Sequence, residues 1–230
     1  MFLPHTVKMR LLVPVWENMC DWQTDFRSLF FVFYAERRGL MKALEEKILQ
    51  EGTILPGHVV KVGGFLNQRL DVDFLMEMGQ EIARLFAEEK VNKVLTVEAS
   101  GIALAVAAAA ALHVPAVFAK KHASANLSGD MYSAEVFSYT HQKTYTIMVS
   151  RDYLSKDDRV LIVDDFLACG NAVKGLMEMV NEAGATLVGV SAAIEKGFQG
   201  GGDALREKGI HVESLAVIDS MGDDSIRFRA

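Results

Sequence analysis

Residues 160–175 read VLIVDDFLACGNAVKG, and this stretch decides the fold. Four apolar residues, 160–163, end in adjacent carboxylates, Asp164 and Asp165. A short loop containing Gly170 follows, then a helical pattern. An unbroken apolar run of this kind predicts a strand buried on both faces, over residues 159–164, with a turn after it. Gly170 permits a tight or left-handed backbone. The N–H groups of Ala168, Cys169, Gly170, Asn171 and Ala172 can then converge at the start of the next helix, where the helix dipole favours an anion. The two carboxylates would repel that anion, so their fitting partners are hydroxyl groups that donate hydrogen bonds to them. Neighbours on an extended strand face opposite ways, so both acids reach one sugar only if the chain turns at Asp165.

The same rhythm extends to either side. MKALEEKILQEG (41–52) predicts an amphipathic helix with Leu44, Ile48 and Leu49 on one face and Gly52 as its stop. Residues 73–90 carry Phe74, Leu75, Met78, Ile82, Leu85 and Phe86 at helical spacing. Strands are expected over 91–98, 115–120, 186–195 and 211–218, and helices over 102–112 and 172–183. Strands apolar on both alternating sets predict a parallel sheet covered by helices, a doubly wound α/β domain. Ligands in such sheets sit at the carboxyl ends of strands, here the turns after residues 98, 120, 164 and 195. The segment 122–150 is polar and then alternates through MYSAEVFSY and KTYTIMVS, a hairpin or edge pattern expected to form a flap.

Bulk properties narrow the classes. The net charge of −6 argues against nucleic-acid binding by overall charge. Two cysteines, Cys20 and Cys169, make no disulfide framework and no metal spacing, which fits a reducing cytoplasm. The most apolar N-terminal run, 29–35, is far short of the roughly 20 residues a bilayer needs. Residues 1–40 hold both tryptophans and show no clear period. They read either as a genuine N-terminal extension or as sequence upstream of a natural start at Met41, and the second is favoured. Residues 41–230 are then the working domain.

The strand, the two acids and the glycine-containing loop resemble the PRPP-binding signature of type I phosphoribosyltransferases. From Met41 to about Phe228 the chain resembles the bacterial xanthine phosphoribosyltransferases, with MKALEEKILQEG, KVGGFLNQRLD, VEASGIA, FAKKH, DDFLACGNA and IEKGFQ in that order. The resemblance implies a type I fold: a parallel sheet flanked by helices, with a small hood from 41–72 and the C-terminal part over the base site. It also implies a homodimer, purine salvage, and transfer of the phosphoribosyl group from Mg²⁺-complexed PRPP to a purine base, with xanthine the expected base. The metal comes with PRPP, and no separate protein metal site is assigned.

By this resemblance, Asp164 and Asp165 hold the ribose hydroxyls and residues 168–172 cradle the 5′-phosphate. Ser100 and Gly101, with Lys121 of the pair Lys120-Lys121, face the pyrophosphate. Val60, Asn67, Lys196 and Phe198 meet the base, and a lysine cation suits an oxo-purine better than the amino group of adenine. Cys169 departs from the family pattern, where threonine or asparagine adds a side-chain hydrogen bond to phosphate. A thiol here can have a lowered pKa, although a small inert filler is the favoured reading. Guanine or hypoxanthine remains an alternative base, and a PRPP-sensing transcription regulator an alternative class.

Overall fold

The computed structural model describes residues 41–121, 130–138, 143–222 and 225–229. The N-terminal extension, His122 and part of the expected flap lie outside them. Its centre is a six-stranded sheet in the order β10-β9-β8-β7-β3-β4. β3 (Lys93–Val97), β4 (Ala116–Ala119), β7 (Arg159–Leu167), β8 (Thr186–Lys196) and β9 (Val212–Met221) run parallel, and β10 (Ile226–Phe228) closes one edge antiparallel. Two small antiparallel pairs stand outside it: β1 (Thr53–Leu55) with β2 (Val59–Lys61), and β5 (Met131–Ser138) with β6 (Lys143–Ser150).

Helices cover both faces, as the buried strands require. Residues 41–51 form α1, and α2 (Val72–Leu85) and α3 (Gly101–Leu112) follow. α4 (Asn171–Glu182) covers the other face, and α5 (Gly201–Arg206) is a short helix after β8. Asp71 caps α2 by accepting from the Phe74 N–H.

The central strand divides its side chains between two cores. Leu161 and Val163 pack with Leu44, Met78, Ile82 and Leu104, while Val160 and Ile162 pack with Leu176, Val136 and Ile147. This alternation carries forward along β7 and sends Asp164 and Asp165 to different sides of the sheet.

Three features differ from the sequence reading. β7 does not stop at Asp164; it runs on to Leu167, because Asp164, Phe166 and Leu167 continue the ladder against Ala192, Ile194 and Glu195 of β8. β4 is not buried on both faces: it is the sheet's edge, and Phe118 is 40% exposed. Leu49 is 58% exposed, whereas Leu44 and Ile48 of the same helix are buried, so the apolar face of α1 is narrower than its pattern suggested. The β5–β6 pair is anchored by Tyr132, Ala134, Val136, Ile147 and Val149, all buried.

Candidate active site

The loop expected to hold phosphate follows β7. Gly170 takes a left-handed backbone (φ 74°, ψ 17°) and caps α4, so the chain reverses into the helix. The Lys174 ammonium donates to the Cys169 carbonyl at 3.1 Å, and the Asn171 amide donates to the Phe137 carbonyl at 3.0 Å, pinning the loop to α4 and β5. Residues 168–172 line one side of a cleft of about 430 Å³. Asp164, Phe166, Tyr145, Lys196, Gln199 and residues 56–59 line the same cleft.

Asp164 and Asp165 are both buried, at 6% exposure each. Asp164 faces the cleft. Asp165 faces the other side of the sheet, where its two oxygens accept from the Asn67 amide at 3.0 Å and the Ser100 hydroxyl at 2.9 Å. The two carboxylates are nonetheless close, since the Asp165 N–H donates to Asp164 Oδ1 at 2.9 Å. Gly101, the first residue of α3, also abuts Asp164: a Cβ there would lie 2.8 Å from Asp164 Oδ1.

Lys196, the last residue of β8, donates to the His58 carbonyl at 2.9 Å and lies 5.7 Å from the centre of the Phe166 ring. His58 belongs to the turn between β1 and β2, where Gly57 (φ 83°) and His58 (φ 60°) are both left-handed, the geometry that joins two twisted antiparallel strands. Phe198 stands beside this turn, its ring 5.5 Å from that of His58. On the opposite side, the Lys121 N–H donates to Glu98 at 2.6 Å and its ammonium sits over the Tyr145 ring at 5.2 Å. Lys120 pairs its backbone with Met148 and lines a different cleft with Phe118 and Tyr153.

The family described as the phosphoribosyl transferase domain matches residues 70–204. The xanthine phosphoribosyltransferase of Bifidobacterium adolescentis is 51% identical over 193 residues, covering 83% of this chain and all of that one. That of Brevibacillus brevis is 53% identical over 188 residues, covering 82% and 96%. The chain belongs to the phosphoribosyltransferase family. Solved structures agree on the fold: adenine phosphoribosyltransferase of Giardia lamblia with 9-deazaadenine superposes with a TM-score of 0.65 at 21% identity, over 77% of this chain and 98% of that one. The enzyme from Thermoanaerobacter pseudethanolicus gives 0.61 at 21%, over 76% and 98%.

The electrostatics of the enzyme's cleft follow from burial. The Asp164 carboxyl is pushed well above the usual carboxylate range, first by burial and then by the neighbouring Asp165 charge. Tyr145 is raised by burial, with Asp164 adding to it. Burial holds the Lys196 ammonium below the ordinary lysine value. An acid that resists ionising alone is prepared to meet a cationic or hydrogen-bond-donating ligand. Among the described residues no cluster of three or more His, Cys, Asp or Glu is placed to hold a metal.

The residues expected from sequence therefore fall into two groups. Asp164, residues 168–172 and Lys196 line one cleft. Asn67, Ser100 and Asp165 form a hydrogen-bonded cluster on the other side of β7. Val60 is buried in the core, and its neighbour Val59 lines the cleft instead, as alternation along β2 dictates. Sequence reasoning passed over His58, Val59, Tyr145, Phe166 and Gln199. Phe166 had a signal, its place directly after the acids. Tyr145 had none, because a hairpin residue 19 positions before Asp164 meets it only in the folded chain.

Proposed function

We propose that this enzyme transfers the 5-phosphoribosyl group of PRPP to xanthine, giving xanthosine 5′-monophosphate and pyrophosphate, as a purine-salvage enzyme of the cytoplasm. The observation that carries this reading is one cleft that joins the 168–172 loop, the Asp164 carboxylate and the Lys196 ammonium. A phosphate, a sugar hydroxyl and an oxo-purine are the partners those three groups suit. The relatives at about half identity carry the xanthine name.

In this reading the loop binds the 5′-phosphate through main-chain N–H groups, and Asp164, which lines the cleft, accepts from a ribose hydroxyl, while Asp165 holds Asn67 and Ser100 beside it. Ser100, Gly101 and Lys121 face the departing pyrophosphate. Lys196 leaves the His58 carbonyl and donates to a purine oxygen, with Asn67, Phe198 and the Val59–Val60 strand in the hood around the base. Substitution at the anomeric carbon breaks its bond to the pyrophosphate oxygen and forms the bond to a ring nitrogen of the base. The protein's share is alignment of the two reactants and stabilisation of the departing charge. Mg²⁺ bound through PRPP would supply charge neutralisation on the leaving diphosphate, and Asp164, which lines the cleft, is the side chain that would adjoin it.

A homodimer fits the same reading, supported by a groove between α2 and α3 that exposes Val72, Met76 and Val106. The test of function is nucleotide formation from Mg-PRPP with xanthine, guanine, hypoxanthine and adenine in parallel. Preference for xanthine is expected. Preference for guanine or hypoxanthine would overturn the base assignment, and PRPP binding without turnover of any base would overturn the enzymatic reading.

A further inference from the structure

The end of β8 and the phosphate loop meet through α5. Glu195 is fully buried, yet its charge is matched: Arg206 donates to both carboxylate oxygens, at 2.9 and 2.7 Å, and the Ser214 hydroxyl donates at 2.6 Å. A buried carboxylate is held firmly when its lone pairs are filled in this way. Arg206 also donates to Asp203 at 3.0 Å, and Asp203 accepts from Arg229 at 3.0 and 3.1 Å, tying the carboxylate to the C-terminal strand region.

α5 starts in the gap between that carboxylate and the loop. A Cβ on Gly202 would overlap Glu195 Oε1. A Cβ on Gly201 would overlap the Ala168 carbonyl oxygen and lie 2.7 Å from the Cys169 carbonyl carbon and 2.8 Å from the Gly170 nitrogen. Neither neighbour can easily retreat, one being main chain and the other a carboxylate fixed by three donors. The helix fits only because its first two residues lack side chains. Its position is therefore set by the loop on one side and Glu195 on the other. Glu195 in turn directly precedes Lys196 on β8.

We infer that Glu195, acting through the Gly201-Gly202 start of α5, is a positioning residue that fixes the separation between Lys196 and the phosphate loop. This deepens the proposed function and rests on it: the base is held at Lys196 and the sugar phosphate at the loop. The distance between them then decides whether the ring nitrogen meets the anomeric carbon. Such an alignment affects reaction of the bound pair more than binding of either member.

The test uses the full chain and the variants Glu195→Gln, Arg206→Lys and Gly201→Ala. Steady-state rates with Mg-PRPP and xanthine are read beside calorimetric binding of ribose 5-phosphate and thermal unfolding. For Glu195→Gln, kcat should fall about tenfold or more while ribose 5-phosphate binding stays within about twofold of the parent. Arg206→Lys, which keeps the charge but breaks the two-pronged hold, should show the same split and decides the matter if Glu195→Gln does not fold. Gly201→Ala, which pushes on the loop itself, should weaken ribose 5-phosphate about tenfold. A folded Glu195→Gln with parental kcat overturns the inference. So does a loss that falls equally on kcat, ligand binding and thermal stability, the mark of a merely structural role. If the parent binds ribose 5-phosphate but turns over no base, the proposed function fails, and Gly201→Ala then decides the inference by binding alone: weakened binding supports it and parental binding overturns it.

Discussion

The Asn67 side-chain amide donates to Asp165 Oδ2 at 3.0 Å, joining residues 98 positions apart in the chain. Asn67 ends the turn Gly63–Asn67 after β2, and Asp165 lies on the central strand, so the bond ties that turn to the sheet. With the Ser100 hydroxyl it satisfies both oxygens of a buried side chain.

Asn67→Ala should therefore destabilise the free enzyme by about 1–3 kcal/mol, the cost of depriving a buried charged acceptor of a donor. Urea unfolding without ligand measures it. If the variant is as stable as the parent, the hydrogen bond is not holding Asp165.

Asp164 bears on stability through pH. Its carboxyl is raised in the folded chain, so folding favours the protonated form. The stabilising contribution is complete below the unfolded pKa and is lost as pH rises through the folded value. At neutral pH this carboxyl therefore works against folding. Asp164→Asn, whose side-chain oxygen can still accept from the Asp165 N–H, should melt higher than the parent at pH 7. The advantage should shrink as pH falls toward the acid range. The same variant should lose about 100-fold or more in kcat, because the group that faces the ribose in the cleft is neutral. Thermal melts across pH, read beside initial rates, test both halves. A lower melting point at pH 7 would contradict the account of Asp164.

Lys196→Met removes the cation from the cleft wall and leaves the His58 carbonyl unbonded. The KM for xanthine should rise about 10- to 100-fold, the worth of a hydrogen bond from a charged donor, while ribose 5-phosphate binding is unchanged. Because burial lowers the lysine's pKa, the parent's KM for xanthine should begin to rise on the alkaline side at a pH below that of an ordinary lysine. Lys196→Arg should carry that rise to higher pH, since a guanidinium stays charged there. A KM for xanthine that is flat with pH and unmoved in Lys196→Met would remove Lys196 from the base site.

Much of this architecture was legible in the chain. The apolar run 160–163, the acids and Gly170 announce a parallel strand, a tight loop and a helix, because each needs only local pattern and backbone freedom. The edge position of β4 was not legible: Ala116 and Phe118 are as apolar as a central strand, and only sheet order puts them outside. The contrary facing of Asp164 and Asp165 follows from strand alternation. That β7 continues past them was hidden, because two carboxylates imitate the end of a strand. Tyr145, and the Glu195–Arg206 pair that spans 11 residues, depend on tertiary contact and leave no periodic trace.

Cys169 is a loop position whose side chain is open to exchange. It is half-buried, its thiol makes a long contact of 3.7 Å to the Gln199 side-chain oxygen, and it lines the cleft beside the main-chain N–H groups. The thiol is a weak donor, whereas a hydroxyl adds a hydrogen bond of about 0.5–1.5 kcal/mol to a phosphate oxygen. Cys169→Thr should therefore lower the KM for PRPP by about two- to tenfold and tighten ribose 5-phosphate binding in parallel. The KM for xanthine should not move, since the added hydroxyl is on the phosphate side of the cleft. Steady-state kinetics with both substrates varied, together with calorimetry, gives all three values. Tighter ribose 5-phosphate binding would mean that the loop, as it stands, holds phosphate by its main chain and lacks one side-chain donor. Unchanged binding would mean that the phosphate is seated too far from position 169 to feel its side chain, and the assignment of residues 168–172 would have to shift toward Gly170 and Asn171.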